Sequence, residues 1–149
     1  MRSIPRAALI LGLAGLIPFI WGMVTVVRVD VAEWGIITFG AQFIGPYVQL
    51  FYGAIILSFM SGVLWGFAAK ATGAQATLGY VLSVIPALWA FLMTGNGPVS
   101  AGINLMVGFV GLLALDWHFW RSKLAPEWWL SLRIMLTGIV LISFIPVVA

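Results

Sequence analysis

Hydrophobic positions in this chain come in long unbroken runs, and the few charged residues are bunched at the ends of those runs rather than spread along a polar face. No charged side chain occurs in residues 7–27 or in residues 71–115. A bilayer's hydrocarbon core, about 30 Å thick, needs about 20 apolar residues per helical crossing. The pattern therefore predicts an all-α integral membrane bundle of five transmembrane helices, a single domain over residues 1–149, with spans at about 5–27, 46–69, 74–93, 99–117 and 128–148.

The boundaries come from the breakers. Arg2 and Arg6 precede the first run as they would a secretory signal. The run is longer than a signal core and no small-residue cleavage site follows, so it reads as an uncleaved signal-anchor. Arg28-Val-Asp-Val-Ala-Glu33 reads as an aqueous loop. The uncharged stretch 34–69 would make a helix of about 54 Å, too long for one crossing and too short for two. Gly45-Pro46 divides it, because a residue before proline avoids the helical region. Residues 34–44 are then an interfacial or shallow re-entrant segment before the second span. Thr94-Gly-Asn-Gly-Pro98 is a turn. Pro126 and Glu127 suit the start of the last helix, where a missing N–H is harmless and an acid meets the dipole.

Composition sharpens this picture. The chain is 63% hydrophobic and 7% charged, against about 25% charged in a typical soluble domain. Its net charge of +3 reflects basic residues at membrane boundaries and is no nucleic-acid signal. With five spans, Arg2, Arg6, Lys70, Arg121 and Lys123 fall on one side and only Arg28 on the other. The positive-inside rule then puts the N-terminus in the cytoplasm and the C-terminus outside. Trp117, Trp120, Trp128 and Trp129 flank the last loop as interface anchors. The absence of cysteine excludes disulfides, thiolate metal sites and cysteine nucleophiles.

Small residues at one-turn spacing let helices approach closely where lipid gives them no hydrophobic reason to associate. Ser58, Gly62 and Gly66 form such a ridge, with looser versions at Ala8, Gly12 and Gly15 and at Gly102, Gly108 and Gly111. The first reading is packing within the bundle; the alternative is a docking face for another protein's helix. Gln49, Ser58, Ser61, Ser83 and Asn104 are expected to bond to neighbouring helices. Asp116, at the end of the fourth span, and Arg133, about two turns into the fifth, form a candidate polar pair. Ionisable groups at membrane depth are costly and often functional. The competing reading has Arg133 snorkelling to the headgroups. His118, between two tryptophans, lacks a second haem ligand. No phosphate loop, Ser/His/Asp set or intramembrane carboxylate pair is present, so no catalysis, metal or cofactor is expected.

The segment Tyr52-Gly-Ala-Ile-Ile-Leu-Ser-Phe-Met-Ser-Gly-Val-Leu-Trp-Gly66 resembles the core motif of the domain of unknown function 3429 family. Ile10-Leu-Gly-Leu-Ala-Gly-Leu-Ile-Pro-Phe19 and Trp129-Leu-Ser-Leu-Arg-Ile-Met-Leu-Thr137 are similar to its first-span and last-span patterns. Met60-Ser61 stands where the motif has Leu-Gly, and Leu64 where members often carry a basic residue or histidine. The resemblance implies a small multi-span protein of bacterial inner membranes and mitochondria with no established activity, and directs attention to Tyr52, Trp65, Asp116 and Arg133.

Two functions fit these observations. One is a non-catalytic accessory or assembly subunit of a larger inner-membrane complex, such as a bioenergetic one, with membrane lipids and other membrane-protein subunits as partners and no nucleic acid. The other is a small-molecule or lipid transporter with a polar site near Asp116 and Arg133. The expected location is the bacterial inner membrane, with the mitochondrial inner membrane as the alternative.

Overall fold

A computed structural model describes residues 3–149; Arg2, counted above with the basic residues of one side, lies outside them. Every regular element among the described residues is helical: α1 (Arg6–Ala14), α2 (Ile17–Val27), α3 (Val29–Phe39), α4 (Tyr47–Ala68), α5 (Gly73–Met93), α6 (Pro98–Arg121) and α7 (Trp129–Val148), with a 3-10 turn at Ala41–Phe43. Five helices are long and apolar enough to cross a membrane, α1 and α2 together making the first, Arg6–Val27. Large apolar side chains such as Leu11, Phe51, Phe59, Phe91 and Ile142 are exposed along them. That surface suits lipid as solvent, since a helix pairs its interior backbone polar groups within itself.

The first span is not one smooth rod. Pro18 has no N–H, and its ring would collide with the carbonyl of Ala14 four residues earlier. The helix accordingly breaks at Gly15-Leu16 and restarts with Pro18 in its first turn. The fourth span, α6, runs on to Arg121 rather than stopping near 117, so Asp116 lies more than a turn inside it. Residues 28–33 do not form a loop: Val29 opens α3, and the exposed Arg28–Asp30 pair (2.8 Å) sits at its first turn. The hydrogen bond from Arg28 holds the Asp30 carboxyl below its usual range.

Helix α3, at 11 residues about 16 Å long, is too short to cross a membrane. It folds back beside α2: Trp21 meets Trp34 and Phe39 edge-on, and its indole N–H donates to the Phe43 carbonyl at 2.6 Å. Gly40, at φ +101°, ends α3 in a conformation that favours glycine. The chain then reaches α4 through Gly45-Pro46, a cis peptide. The Gly45 N–H donates to Thr25 Oγ1 at 2.7 Å. A Cβ on Gly45 would strike the Gly22 carbonyl, and one on Gly22 would strike the Gln49 side chain. Gln49 in turn donates to the Ser143 carbonyl at 2.7 Å, tying α4 to α7.

At the centre, α6 packs on α7 and also on α4 and α5, while α2 bridges α4 and α7. Phe19 reaches the rings of Tyr52, Phe109 and Phe144 at 5.1, 5.9 and 6.0 Å. Of the polar side chains expected to bridge helices, Gln49, Ser61 and Asn104 do so. Ser61 accepts from the Ala87 N–H at 2.9 Å just after Pro86 in α5, and Asn104 donates to the Met93 carbonyl at 2.8 Å. Ser58 and Ser83 instead bond back to carbonyls of their own helices.

The small-residue ridge corrects an expectation. A methyl group at Gly62 or Gly66 would meet nothing within 4 Å, and Ser58 is exposed, so this ridge does not pack inside the bundle. The buried row of α4 is Gly53, Leu57, Met60, Leu64 and Ala68. Close helix approach is made elsewhere, where Gly79 lies against Ala68 and Gly108 against Trp89 and Leu57. Gly102 also faces inward, whereas Gly111 faces open space. We predict that Gly45→Ala destabilises the protein by about 1–3 kcal/mol, the usual range for overpacking. Gly62→Ala should leave stability unchanged or slightly raised. Thermal unfolding of both variants in one detergent measures the contrast.

Candidate functional site

Asp116 and Arg133 meet. Arg133 Nε donates to Asp116 Oδ2 at 2.9 Å, and the indole N–H of Trp129 donates to Oδ1 at 3.0 Å. Asp116 is fully buried and Arg133 is 6% exposed. The two residues lie about one turn inside the ends of α6 and α7 that adjoin their connecting loop. Arg133 therefore does not snorkel to the headgroups. Two charges in a low-dielectric interior are tolerated only when each answers the other and the remaining donors and acceptors are met. Here that condition is incomplete: Arg133 Nη2 is buried without a hydrogen-bond partner, and so is Thr137 Oγ1, one turn further along α7.

Arg133 and Thr137 line a cavity of about 530 Å³ between the first span and α4, with α7 behind it. Its origin is the break before Pro18. Helix α1 packs on α7 rather than on α4, while α2 packs on both, so the gap opens on the α1 side of the break. The cavity extends from Trp128 to the contact between Phe19 and Tyr52. Leu11, Ile55 and Phe59 form part of its wall and are exposed on the bundle surface, so its mouth faces sideways. The volume falls within the roughly 300–1,000 Å³ of small-molecule sites, which are mostly apolar with a few placed polar groups. All of the lining residues except Ala8, Phe109, Trp128 and Val140 belong to the three segments that resemble family motifs.

The other residues singled out from the sequence are dispersed. Tyr52 is in the cavity wall, but Trp65 is exposed and packs at a tilt against Tyr80, ring centroids 4.5 Å apart, between α4 and α5. The tryptophan quartet divides. Trp117 is exposed under Arg121, and Trp120 donates to the Glu127 carbonyl at 3.1 Å. Trp128 and Trp129 are half-buried, and Trp129 serves Asp116 and packs edge-on to Phe67 at 5.1 Å rather than standing as a surface anchor. His118 packs edge-on to Phe119 at 5.5 Å. Among the described residues no three of the His, Asp and Glu side chains gather as metal ligands would. Reading the sequence alone missed Thr137 and the role of Trp129. The usable signal was spacing, since Trp129, Arg133 and Thr137 stand four apart on one helix face.

This is a polytopic α-helical membrane protein of five candidate spans, with a buried ion pair beside a laterally open cavity. The chain belongs to the family described as Protein of unknown function (DUF3429), whose model matches residues 4–149. It is 30% identical to Transmembrane protein 69 of Xenopus tropicalis over 97% of this chain and 54% of that protein. It is also 30% identical to Transmembrane protein 69 of Mus musculus, over 95% and 55% respectively. The chain thus spans about half the length of these curated relatives. No solved structure matches it.

Removing one partner of a buried pair strands the other charge. We predict that Arg133→Leu costs about 3–5 kcal/mol of stability. Replacing Asp116 and Arg133 together by Leu and Met should recover most of that loss. Unfolding of the single and double variants in the same detergent gives the coupling between them.

Proposed function

We propose that this protein is a non-catalytic binding protein that takes a small lipophilic molecule from the bilayer into the cavity between α1 and α4, for storage, delivery or transport. The carrying observation is the coincidence of a sideways-opening apolar cavity with the buried, unpaired Nη2 of Arg133. A bundle needing only stability would be better served by apolar residues at the pair, because buried charges seldom stabilise relative to well-packed isosteres. Mass spectrometry of the protein released intact from detergent tests this reading. The wild type should retain a lipophilic molecule at one per chain, and Ala8→Phe or Val63→Phe, which fill the cavity, should lose it. Equal retention by the wild type and both variants would end this reading.

A second reading, an accessory subunit of a larger complex in the bacterial inner membrane, is favoured by one specific observation. The Ser58, Gly62 and Gly66 face is exposed, and its two glycines contact nothing in the bundle, as the small-residue contacts of another helix require. Membranes should be fractionated first, and the inner-membrane fraction then solubilised mildly and pulled on a C-terminal tag. Stoichiometric recovery of a membrane complex, lost on Gly62→Ile, is the result this second reading requires. Recovery of the chain alone from that fraction would exclude it.

A further inference from the structure

We propose that the cavity selects a molecule with an uncharged carbonyl head on an apolar body, such as the carbonyl of an acyl ester or of a quinone ring, held by Arg133 Nη2 and Thr137 Oγ1. This inference rests on the cavity being a binding site and adds the chemistry of its occupant.

The argument begins with charge. The Asp116 carboxylate already balances the Arg133 guanidinium, through Nε at 2.9 Å. The polar end of the cavity is therefore a neutral ion pair. A ligand carboxylate or phosphate placed there would add an unbalanced negative charge in a low-dielectric wall, which is strongly disfavoured. A ligand ammonium would confront the guanidinium. An uncharged oxygen acceptor meets neither penalty.

Hydrogen-bond capacity points the same way. Arg133 Nη2 can only donate, and the Thr137 hydroxyl can donate or accept. Both atoms are buried without partners, on residues 6% and 1% exposed, so each lacks a bond it would have in water. A carbonyl oxygen has two lone pairs and can accept from both donors. Arg133 and Thr137 are four residues apart on α7, one above the other on the same helix face, and both line the cavity, so their two donors lie covered at one region of its wall, where a ligand must part the lining to reach them. Away from them the wall is hydrocarbon and aromatic, from Leu16 and Phe19 across to Ile56 and Met60. This surface matches an apolar body. The exposed rim at Leu11 and Phe59 lets a long tail continue into lipid. Trp128 and Trp129 flank the polar end, where an amphipathic molecule would carry its head.

The whole chain in detergent micelles would be titrated with four probes: decylubiquinone, monoolein, oleate and hexadecane, with bound ligand counted by mass spectrometry of the intact complex. Decylubiquinone and monoolein should each bind one per chain, at least tenfold more tightly than oleate; whichever is tighter tells a quinone source from an ester source. Thr137→Val keeps the side-chain shape but removes the hydroxyl. It should weaken both carbonyl probes about fivefold, the equivalent of one ordinary hydrogen bond, and leave hexadecane unchanged. This variant leaves the ion pair intact and so avoids the folding loss expected of Arg133 variants. Oleate binding as tightly as monoolein, or Thr137→Val leaving the carbonyl probes unaffected, would overturn the carbonyl assignment while leaving the cavity reading in place. Failure of all four probes to bind would overturn both.

Discussion

The contact between Asp116 and Arg133 governs much of the rest of this molecule. Neither charge can stay in a hydrocarbon environment alone, so α6 and α7 must hold the register that brings Nε to Oδ2. Trp129 completes the carboxylate's second oxygen from the first turn of the same helix. The arrangement satisfies the acid more fully than the base. A guanidinium carries five donors and a carboxylate cannot take all of them in this geometry, and the remainder is what gives the neighbouring cavity its polar end.

The cavity itself follows from a contrast between the two halves of the first span. Beyond Pro18, α2 lies tightly against α4: Gly22 and Gly45 leave room only for backbone and the Gln49 side chain, and Gln49 clamps α4 to α7. Before Pro18, α1 turns onto α7 and leaves α4. One end of the bundle is thus closed by glycine contacts and a folded-back helix, while the other parts around the buried arginine. A proline that only shortened a hydrogen-bond ladder would be a local matter; here the break beside it accompanies the cavity between the first span and α4.

The outer surface answers to a different solvent. Spans that expose leucine, isoleucine and phenylalanine need no explanation in lipid, so an outward row of small residues is informative in a way that exposed leucines are not. Ser58, Gly62 and Gly66 leave an exposed strip on α4, beside Ile55 and Phe59 at the cavity mouth on the same helix. A helix laid on that strip would stand next to the cavity mouth.

Much of this architecture was legible from local chemistry. Lipid demands apolar runs of fixed length, and proline and glycine interrupt them, so the number and approximate bounds of the spans could be read residue by residue. Arg133 and Asp116 also stood out, because charge in such runs is rare. Reading failed where the answer depended on which way a helix is turned. Gly62 and Gly53 look alike in sequence, yet one faces open space and the other the ring of Phe109. Trp129 looks like Trp117, yet one bonds a buried carboxylate and the other is exposed. Residues 28–39 passed for a loop and an interfacial strip because a helix of three turns stabilised by Trp21 leaves no length signal of its own. The sequence by itself determined the spans, their breaks and the charges needing partners, since these follow from transfer into lipid and from backbone sterics. Only the tertiary structure decided the facing of each helix, the cavity and its two unpaired polar atoms, because those depend on how neighbours pack around a break at Gly15-Leu16.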